Sequence, residues 1–281
     1  MMKRKCEMMD KIVCAVLLVA LACGGRAFAE PVLVTNRLAS GASVVVRGER
    51  GEAPAPVLVW LHGGGLTGGK ASFVALDDPG ISQVTVDYRL MKADGSVRAS
   101  DCIDDAAAAV AWALENAASF GGDPKKVFVS GHSAGAYLTM MVGMDPRWLA
   151  KFGHRQDELA GLIPVSGQAT KHFNVRKHAG DDDAQYLPKI DDMAPLAHVT
   201  NAVPPILSVC GQPPYEWPCR AEGNRLLIAS LVALGHKDAW YVEAPGCTHG
   251  TVLSASYPYI RDFIRGKFAP AAVHGKGKSR K

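Results

Sequence analysis

Short β-rich runs alternate with helix-like stretches along most of this chain, and this alternation limits its fold more than any other feature. Residues 57–61 form a continuous apolar run closed by glycines, which is typical of a strand buried on both faces. Comparable strand-like runs follow at 81–86, 127–129, 161–165, 206–210 and 240–242. Because strand and helix alternate strictly, the sequence predicts an α/β fold with a mostly parallel central sheet and helices on both faces.

Helical stretches lie between these runs. The longest is predicted to begin with Ser100 or Asp101 as its N-cap and to end at the glycines 121–122. Residues 220–234 predict a second helix, and another is expected at the end of the domain. Residues 168–199 break the alternation because they are polar and rich in histidine. We expect this segment to lie outside the sheet, either as a small cap or as a mobile loop.

The amino terminus has the three regions of a secretory signal peptide. Basic residues 3–5 precede an apolar run over 12–22, which is too short to span a bilayer, and small residues at 27 and 29 suit a cleavage site after Ala29. The sequence therefore predicts export to the periplasm or the medium. A buried N-terminal helix is one alternative, and a lipoprotein anchored through Cys23 is another, although the preceding 20–22 match a lipobox poorly.

These features predict a leader over 1–29, one α/β domain over 30–270 and a basic tail over 271–281 that we expect to be disordered. The net charge of +4 comes from the ends, since the leader holds five basic and two acidic residues and four basic residues lie in the last six positions. The domain itself is slightly acidic, which argues against a nucleic-acid partner. We expect no stable membrane insertion once the leader is removed, and the sequence leaves the oligomeric state open.

Four cysteines remain after the leader is removed, namely Cys102, Cys210, Cys219 and Cys247. In an oxidising compartment one or two disulfides are possible, and all three full pairings stay open. A zinc site is not expected, because no CxxC pair or HxxxH spacing accompanies them.

Residues 131–135 read GHSAG and connect the strand-like run 127–129 to a helix-like run at 136–142. A serine on a sharp strand-to-helix turn needs small neighbours, because the backbone there is strained and adjacent chains pass close to it. Such a turn projects the hydroxyl above the sheet, so the pattern predicts Ser133 as a nucleophile. Because G-x-S-x-G also arises by chance, the prediction depends on its context.

That context begins with residues 62–65, which read HGGG and close the strand-like run 57–61. Glycines at such a place let backbone N–H groups turn toward a developing oxyanion, together with the N–H of the residue after the nucleophile. We therefore predict Gly63, Gly64 and Ala134 as the oxyanion-hole donors. A phosphate-binding loop would require a Gly-Lys-Ser/Thr ending, which residues 69–72 do not provide.

The general base and its acid partner are expected C-terminal to the serine, in the order serine, acid, histidine. His249 lies in a loop directly after the strand-like run 240–242, where the sites of open α/β sheets gather. The acid should follow the run 206–210, and Glu216 is the only carboxylate in the loop there. We predict that Glu216 orients His249, which removes the proton of Ser133.

These motifs resemble the α/β-hydrolase superfamily, in particular the HGGG-bearing carboxylesterases of the hormone-sensitive-lipase and feruloyl-esterase-like branches. The likeness runs from Val57 to Phe263 and includes residues 86–90, VDYRL, which resemble the family's DYRL segment. It implies structural roles for Tyr88 and Arg89. The family places an aspartate a few residues after the glycine that ends its strand, whereas this chain has prolines there, and Glu216 takes its place. A second likeness is to kynurenine-formamidase-type hydrolases.

The resemblance implies a serine carboxylesterase that acts on a small or medium ester and needs no metal or organic cofactor. Two alternatives stay open: a formamidase or amidase, and a catalytically inactive hydrolase fold used for binding. Residues 166–168 should lie beside the substrate pocket, and residues 171–173 should wall it. A mixed polar and aromatic wall argues against long-chain lipid substrates.

Overall fold

The computed structural model describes residues 32–48, 51 and 53–269. Three predicted features lie outside the described residues: the leader with its cleavage site, Cys23 and the basic tail. The structure does not test them. Eight strands form one sheet: β1 (Val32–Arg37), β2 (Ser43–Gly48), β3 (Ala55–Leu61), β4 (Ser82–Asp87), β5 (Gly122–His132), β6 (Gly161–Val165), β7 (Ile206–Gly211) and β8 (Ala239–Ala244). The helices are α1 (Ala99–Asn116), α2 (Ala134–Met144), α3 (Pro146–Ala150), α4 (Phe173–His178), α5 (Arg220–Ala233), α6 (Val252–Ala255) and α7 (Tyr257–Ile264).

The sheet has the strand order β1-β2-β4-β3-β5-β6-β7-β8. Strands β3 to β8 run parallel, whereas β2 is antiparallel to both of its neighbours. The predicted fold class is therefore confirmed, with one addition that was not predicted: the first two strands form a hairpin at one edge. The apolar sequence pattern of these two strands is weak, because β2 is buried only at every second residue and β1 is largely exposed.

The central strand β3 shows why both faces of the sheet need helices. All seven of its residues are buried, and their side chains alternate between two hydrophobic clusters. Val57, Val59 and Leu61 pack with α1 and α2 on one face. Leu58 and Trp60 pack on the other face with residues of α7. The carboxyl end of β3 is thereby fixed beside the end of β5, where the candidate site lies.

The start of α1 differs from the prediction. The N-cap is Arg98, so the helix begins one residue before Ser100, the earlier of the two predicted caps. Asp101 takes part from inside the helix, since its Oδ2 accepts the Arg98 N–H at 2.7 Å. Asp101 therefore lies at the third helical position and bonds back to the N-cap residue. Residue preference alone does not distinguish an aspartate at this position from one at the N-cap.

The segment 168–199 is a small packed cap, the first of the two predicted forms. The buried Arg176 of α4 donates to the Leu187 carbonyl at 2.7 Å and pairs with Asp181 at 2.8 Å. From below, the Tyr137 hydroxyl donates to the Met193 carbonyl at 2.7 Å. These bonds hold the cap over α2.

The four cysteines of the domain are unpaired, so the disulfides that the sequence allowed are not formed. Cys102 and Cys210 are buried, and burial raises the pKa of each thiol to about 12. Among the residues that the structure describes, no helix is both long and apolar enough to span a membrane.

Candidate active site

Ser133 occupies a strained turn between β5 and α2, with φ 57° and ψ −113°. The turn fits only because its neighbours lack side chains. A Cβ added at Gly131 would lie 2.5 Å from the Leu61 carbonyl oxygen, and one added at Gly135 would overlap the same oxygen. The glycines of GHSAG are therefore required because the turn packs directly on the end of β3.

The structure brings Ser133, His249 and Glu216 into one chain of hydrogen bonds, although they are far apart in sequence. Ser133 Oγ lies 2.9 Å from His249 Nε2, and His249 Nδ1 lies 2.7 Å from Glu216 Oε1. All three side chains are buried, with Ser133 and Glu216 each 6% exposed and His249 8% exposed. In this geometry the imidazole can accept the serine proton on Nε2 while Glu216 holds the proton on Nδ1.

Glu216 accepts four hydrogen bonds, which keep it ionised. Besides His249, Ser166 Oγ donates to Oε2 at 2.5 Å, and the backbone N–H groups of Gly211 and Trp217 donate at 3.0 and 2.8 Å. Burial alone would raise the pKa of Glu216, but the hydrogen bonds from His249, Ser166 and Trp217 outweigh it and lower the pKa to about 2. Glu216 is therefore an anion throughout the ordinary pH range.

The glycine loop after β3 lies directly against the serine turn. A Cβ added at Gly63 would lie 3.1 Å from the His132 carbonyl oxygen and 3.5 Å from Ser133 Cβ. Gly64 has φ +113° and leaves no room for a side chain, since its Cβ would overlap Gly68. Ala134 is the first residue of α2, so its N–H is free of an intrahelical acceptor. The three predicted donors thus lie on the two segments that flank Ser133.

The VDYRL segment, residues 86–90, packs against the start of this glycine loop. The Tyr88 hydroxyl donates to the His62 carbonyl at 2.8 Å, and the Tyr88 and His62 rings stack with centroids 4.2 Å apart. Arg89 forms a bidentate ion pair with Asp105, which is fully buried in α1. Both residues contact the scaffold, in agreement with the structural roles that the resemblance implies.

His132 was not identified from the sequence, although it directly precedes Ser133. Its Nε2 donates to the His249 carbonyl oxygen at 2.7 Å, and the two rings lie 4.9 Å apart. A carbonyl oxygen only accepts, so Nε2 carries the proton. Burial, followed by the proximity of His249, lowers the pKa of His132 to about 4. His132 is therefore a neutral tether between the serine turn and the histidine loop.

An aromatic wall borders the site. Phe173 of the cap, Tyr186 and Trp217 lie with ring centroids 6.1 to 6.3 Å apart, and Trp217 stacks directly on His249. Residues 171–173 thus contribute to the wall as expected, through Phe173. Ser166, expected beside the pocket, donates its hydroxyl to Glu216. Among the described residues, no group of three or more His, Cys, Asp or Glu side chains is placed to hold a metal ion.

The strand order, the serine turn after β5 and the histidine loop after β8 are those of the α/β-hydrolase fold. The esterase 2 of Thermogutta terrifontis, solved with propionate bound, superposes with a TM-score of 0.64 over 86% of this chain and 96% of that one, at 18% identity. An esterase from Pyrobaculum calidifontis gives a TM-score of 0.62 over 83% and 82%, at 22% identity. At such identities the likeness establishes the fold.

Sequence comparisons agree with the predicted resemblance, which is confirmed. The BD-FAE family model matches residues 45–161, which include the glycine loop and the serine turn. Esterase LipC of Mycobacterium tuberculosis is 26% identical over 70% of this chain, and liver carboxylesterase 1F of Rattus norvegicus is 33% identical over 53% of it. The chain spans about half the length of LipC (53%) and about a quarter of the rat enzyme (26%).

Proposed function

We propose that this protein is an exported serine carboxylesterase that cleaves small to medium carboxylic esters through a Ser133–His249–Glu216 triad and an acyl-enzyme. The observation that carries the proposal is the unbroken chain of short hydrogen bonds from Ser133 Oγ to Glu216, beside a glycine loop that contacts Ser133. The similar proteins named above are esterases, which favours an ester over another acyl compound. Export rests on the leader pattern of residues 1–29.

In this mechanism Ser133 Oγ attacks the ester carbonyl while its proton passes to His249 Nε2. The carbonyl oxygen becomes an anion, and the backbone N–H groups of Gly63, Gly64 and Ala134 stabilise it. His249 then gives the proton to the alcohol oxygen as the carbon–oxygen bond breaks. Water repeats the sequence on the acyl-enzyme and releases the acid. Glu216 remains ionised and stabilises the imidazolium in both halves.

The mature protein is expected to hydrolyse p-nitrophenyl acetate and butyrate faster than the laurate. The reason is that residues 171–173, which contribute to the wall beside the site, combine polar side chains with the aromatic Phe173. Ser133→Ala should lower turnover by about 10⁴-fold or more, since the nucleophile is lost. A fluorophosphonate probe should label the native protein and not the variant. Release of p-nitrophenol by both proteins at the same rate would contradict the proposal.

The same experiment separates the alternatives. Cleavage of an aryl formamide in the absence of ester cleavage would show that the substrate is an amide and not an ester. Failure of the probe to label Ser133 in folded protein would favour a binding role for the fold. Fastest turnover with the laurate would contradict the proposed chain-length preference but would not contradict the proposed triad.

Replacing His132 with leucine is expected to reduce kcat/KM by about 10- to 100-fold, because the histidine loop loses its tether to the serine turn and a small displacement of a base is costly. His132→Gln keeps an N–H donor near the position of Nε2 and should restore most of the activity. Steady-state kinetics with a p-nitrophenyl ester, together with thermal unfolding of both variants, checks this. Equal losses in the two variants would exclude the tether as the cause.

A further inference from the structure

Trp217 has the closest ring contact in the site, and the mechanism above gives it no role. Its ring and that of His249 have centroids 3.8 Å apart and planes inclined by 14°. Its backbone N–H donates to Glu216 Oε1 at 2.8 Å, which fixes the start of the side chain. Contacts with Phe173 and Tyr186 at 6.1 and 6.3 Å support the ring from the cap side. The ring is therefore held face to face with the general base.

Two charged side chains lie near the stacked pair of His249 and Trp217: Glu216, which bonds to His249, and Arg220. His132 and the fully buried His172 are neutral, because burial lowers the pKa of the first to about 4 and that of the second well below its usual value. Arg220 is a buried cation whose guanidinium lies 5.4 Å from the Trp217 ring centroid. An imidazolium at His249 would thus contact one carboxylate, that of Glu216, and one aromatic face, that of Trp217.

We propose that the π-face of Trp217 stabilises the positive charge that forms on His249 when it accepts the Ser133 proton. The inference rests on the proposed function, since it concerns the same base. An aromatic face attracts a cation within about 6 Å of its centroid, and the attraction is larger where water is excluded. Because the neutral imidazole of the resting enzyme lacks this attraction, the contact favours the transition state over the ground state.

No bond to Trp217 forms or breaks in this scheme. The proton leaves Ser133 Oγ, resides on His249 Nε2 during the tetrahedral intermediate and departs with the alcohol. The indole only lowers the energy of the state in which the proton is on the ring. The same stabilisation operates again when water attacks the acyl-enzyme, so both half-reactions depend on it.

The test compares Trp217→Leu, Trp217→Phe and the control Tyr215→Leu. Tyr215 lies in the same loop and is 56% exposed. For Trp217→Leu we expect kcat to fall about five- to twentyfold, with a smaller loss in Trp217→Phe, which keeps an aromatic face, and none in the control. The acidic limb of the pH–rate profile should move about one unit to lower pH in Trp217→Leu, because the protonated base loses a stabilising contact.

The direction of that movement separates this role from a simpler one. If Trp217 only shielded His249 from water or formed a wall for substrate, its removal would admit solvent around the base. The protonated form would then gain stability, and the acidic limb would move to higher pH, or only KM would change. Either result overturns the proposal. Thermal unfolding of each variant checks that the loop remains folded.

A second measurement does not depend on turnover. In the Ser133→Ala protein, the ring resonances of His249 can be followed by NMR against pH with and without Trp217→Leu. The pH of half-protonation should be lower when Trp217 is absent, and an unchanged or higher value refutes the role. If no ester is cleaved by the native protein, the proposed function fails while this titration still decides whether Trp217 stabilises the imidazolium.

Discussion

Replacing Glu216 with glutamine is expected to lower kcat/KM for a p-nitrophenyl ester by about 10³- to 10⁴-fold. Glutamine fits the volume but changes the hydrogen bonding. Glu216 accepts from His249, Ser166, Gly211 and Trp217, and an amide NH₂ in place of either oxygen would face a donor. The imidazole would then lose its preferred tautomer and the anion that stabilises its protonated form. Steady-state kinetics from pH 5 to 9 measures the loss.

Glu243→Gln is the matched control. Glu243 is also a glutamate in the carboxyl half of the chain, but it lies on β8 and pairs with Arg225. Its replacement should leave kcat/KM unchanged. Glu216→Asp should keep partial activity, because a carboxylate remains but its reach is shorter. Activity in Glu216→Gln close to that of the native protein would assign the acid role to another residue.

The second large effect concerns stability. Gly135→Ala is expected to destabilise the folded protein by about 3 kcal/mol or more, or to prevent its accumulation. The added methyl would overlap the Leu61 carbonyl oxygen and lie 2.7 Å from that of His62. Both are backbone atoms of the segment that ends β3, so the clash can be relieved only by moving β3 away from α2. Urea denaturation followed by circular dichroism measures the change.

Gly223→Ala makes the same chemical change inside α5 and should act in the opposite direction. The nearest atom to the added methyl is Ala169 Cβ at 3.7 Å, an ordinary contact. Alanine is the better helix former by about 0.5–1 kcal/mol, so the variant should be slightly stabilised. Similar stabilities for Gly135→Ala and the native protein would show that the serine turn can separate from β3.

The parts of the fold that are continuous in sequence could be predicted, and those that depend on distant contacts could not. The strand-like run 57–61 lies within β3, because a run buried on both faces has a strong apolar signal. By contrast, β1 at the sheet edge has exposed apolar residues such as Leu33, 69% exposed, so its pattern does not differ from that of a loop. The predicted start of α1 was wrong because Asp101 caps the helix from its third position instead of preceding it.

The same distinction applies to the candidate site. Ser133, His249 and Glu216 could be selected from motif, order and loop position, and the structure places them within hydrogen-bonding distance. The contacts of His132 and Trp217 with His249 could not be inferred, because each joins two loops whose spacing is set by the sheet. No local pattern distinguishes a tryptophan that stacks on a base from one that merely follows a glutamate.

The strand order also has a consequence for biosynthesis. The glycine loop follows β3, the serine follows β5, the carboxylate follows β7 and the histidine follows β8, so the four contributions enter the site in the order in which the ribosome makes them. Until β8 has been made and has docked beside β7, His249 cannot reach Ser133, and the proposed triad lacks its base. Under the proposed mechanism, a nascent chain therefore cannot cleave esters until the last strand of the sheet is in place.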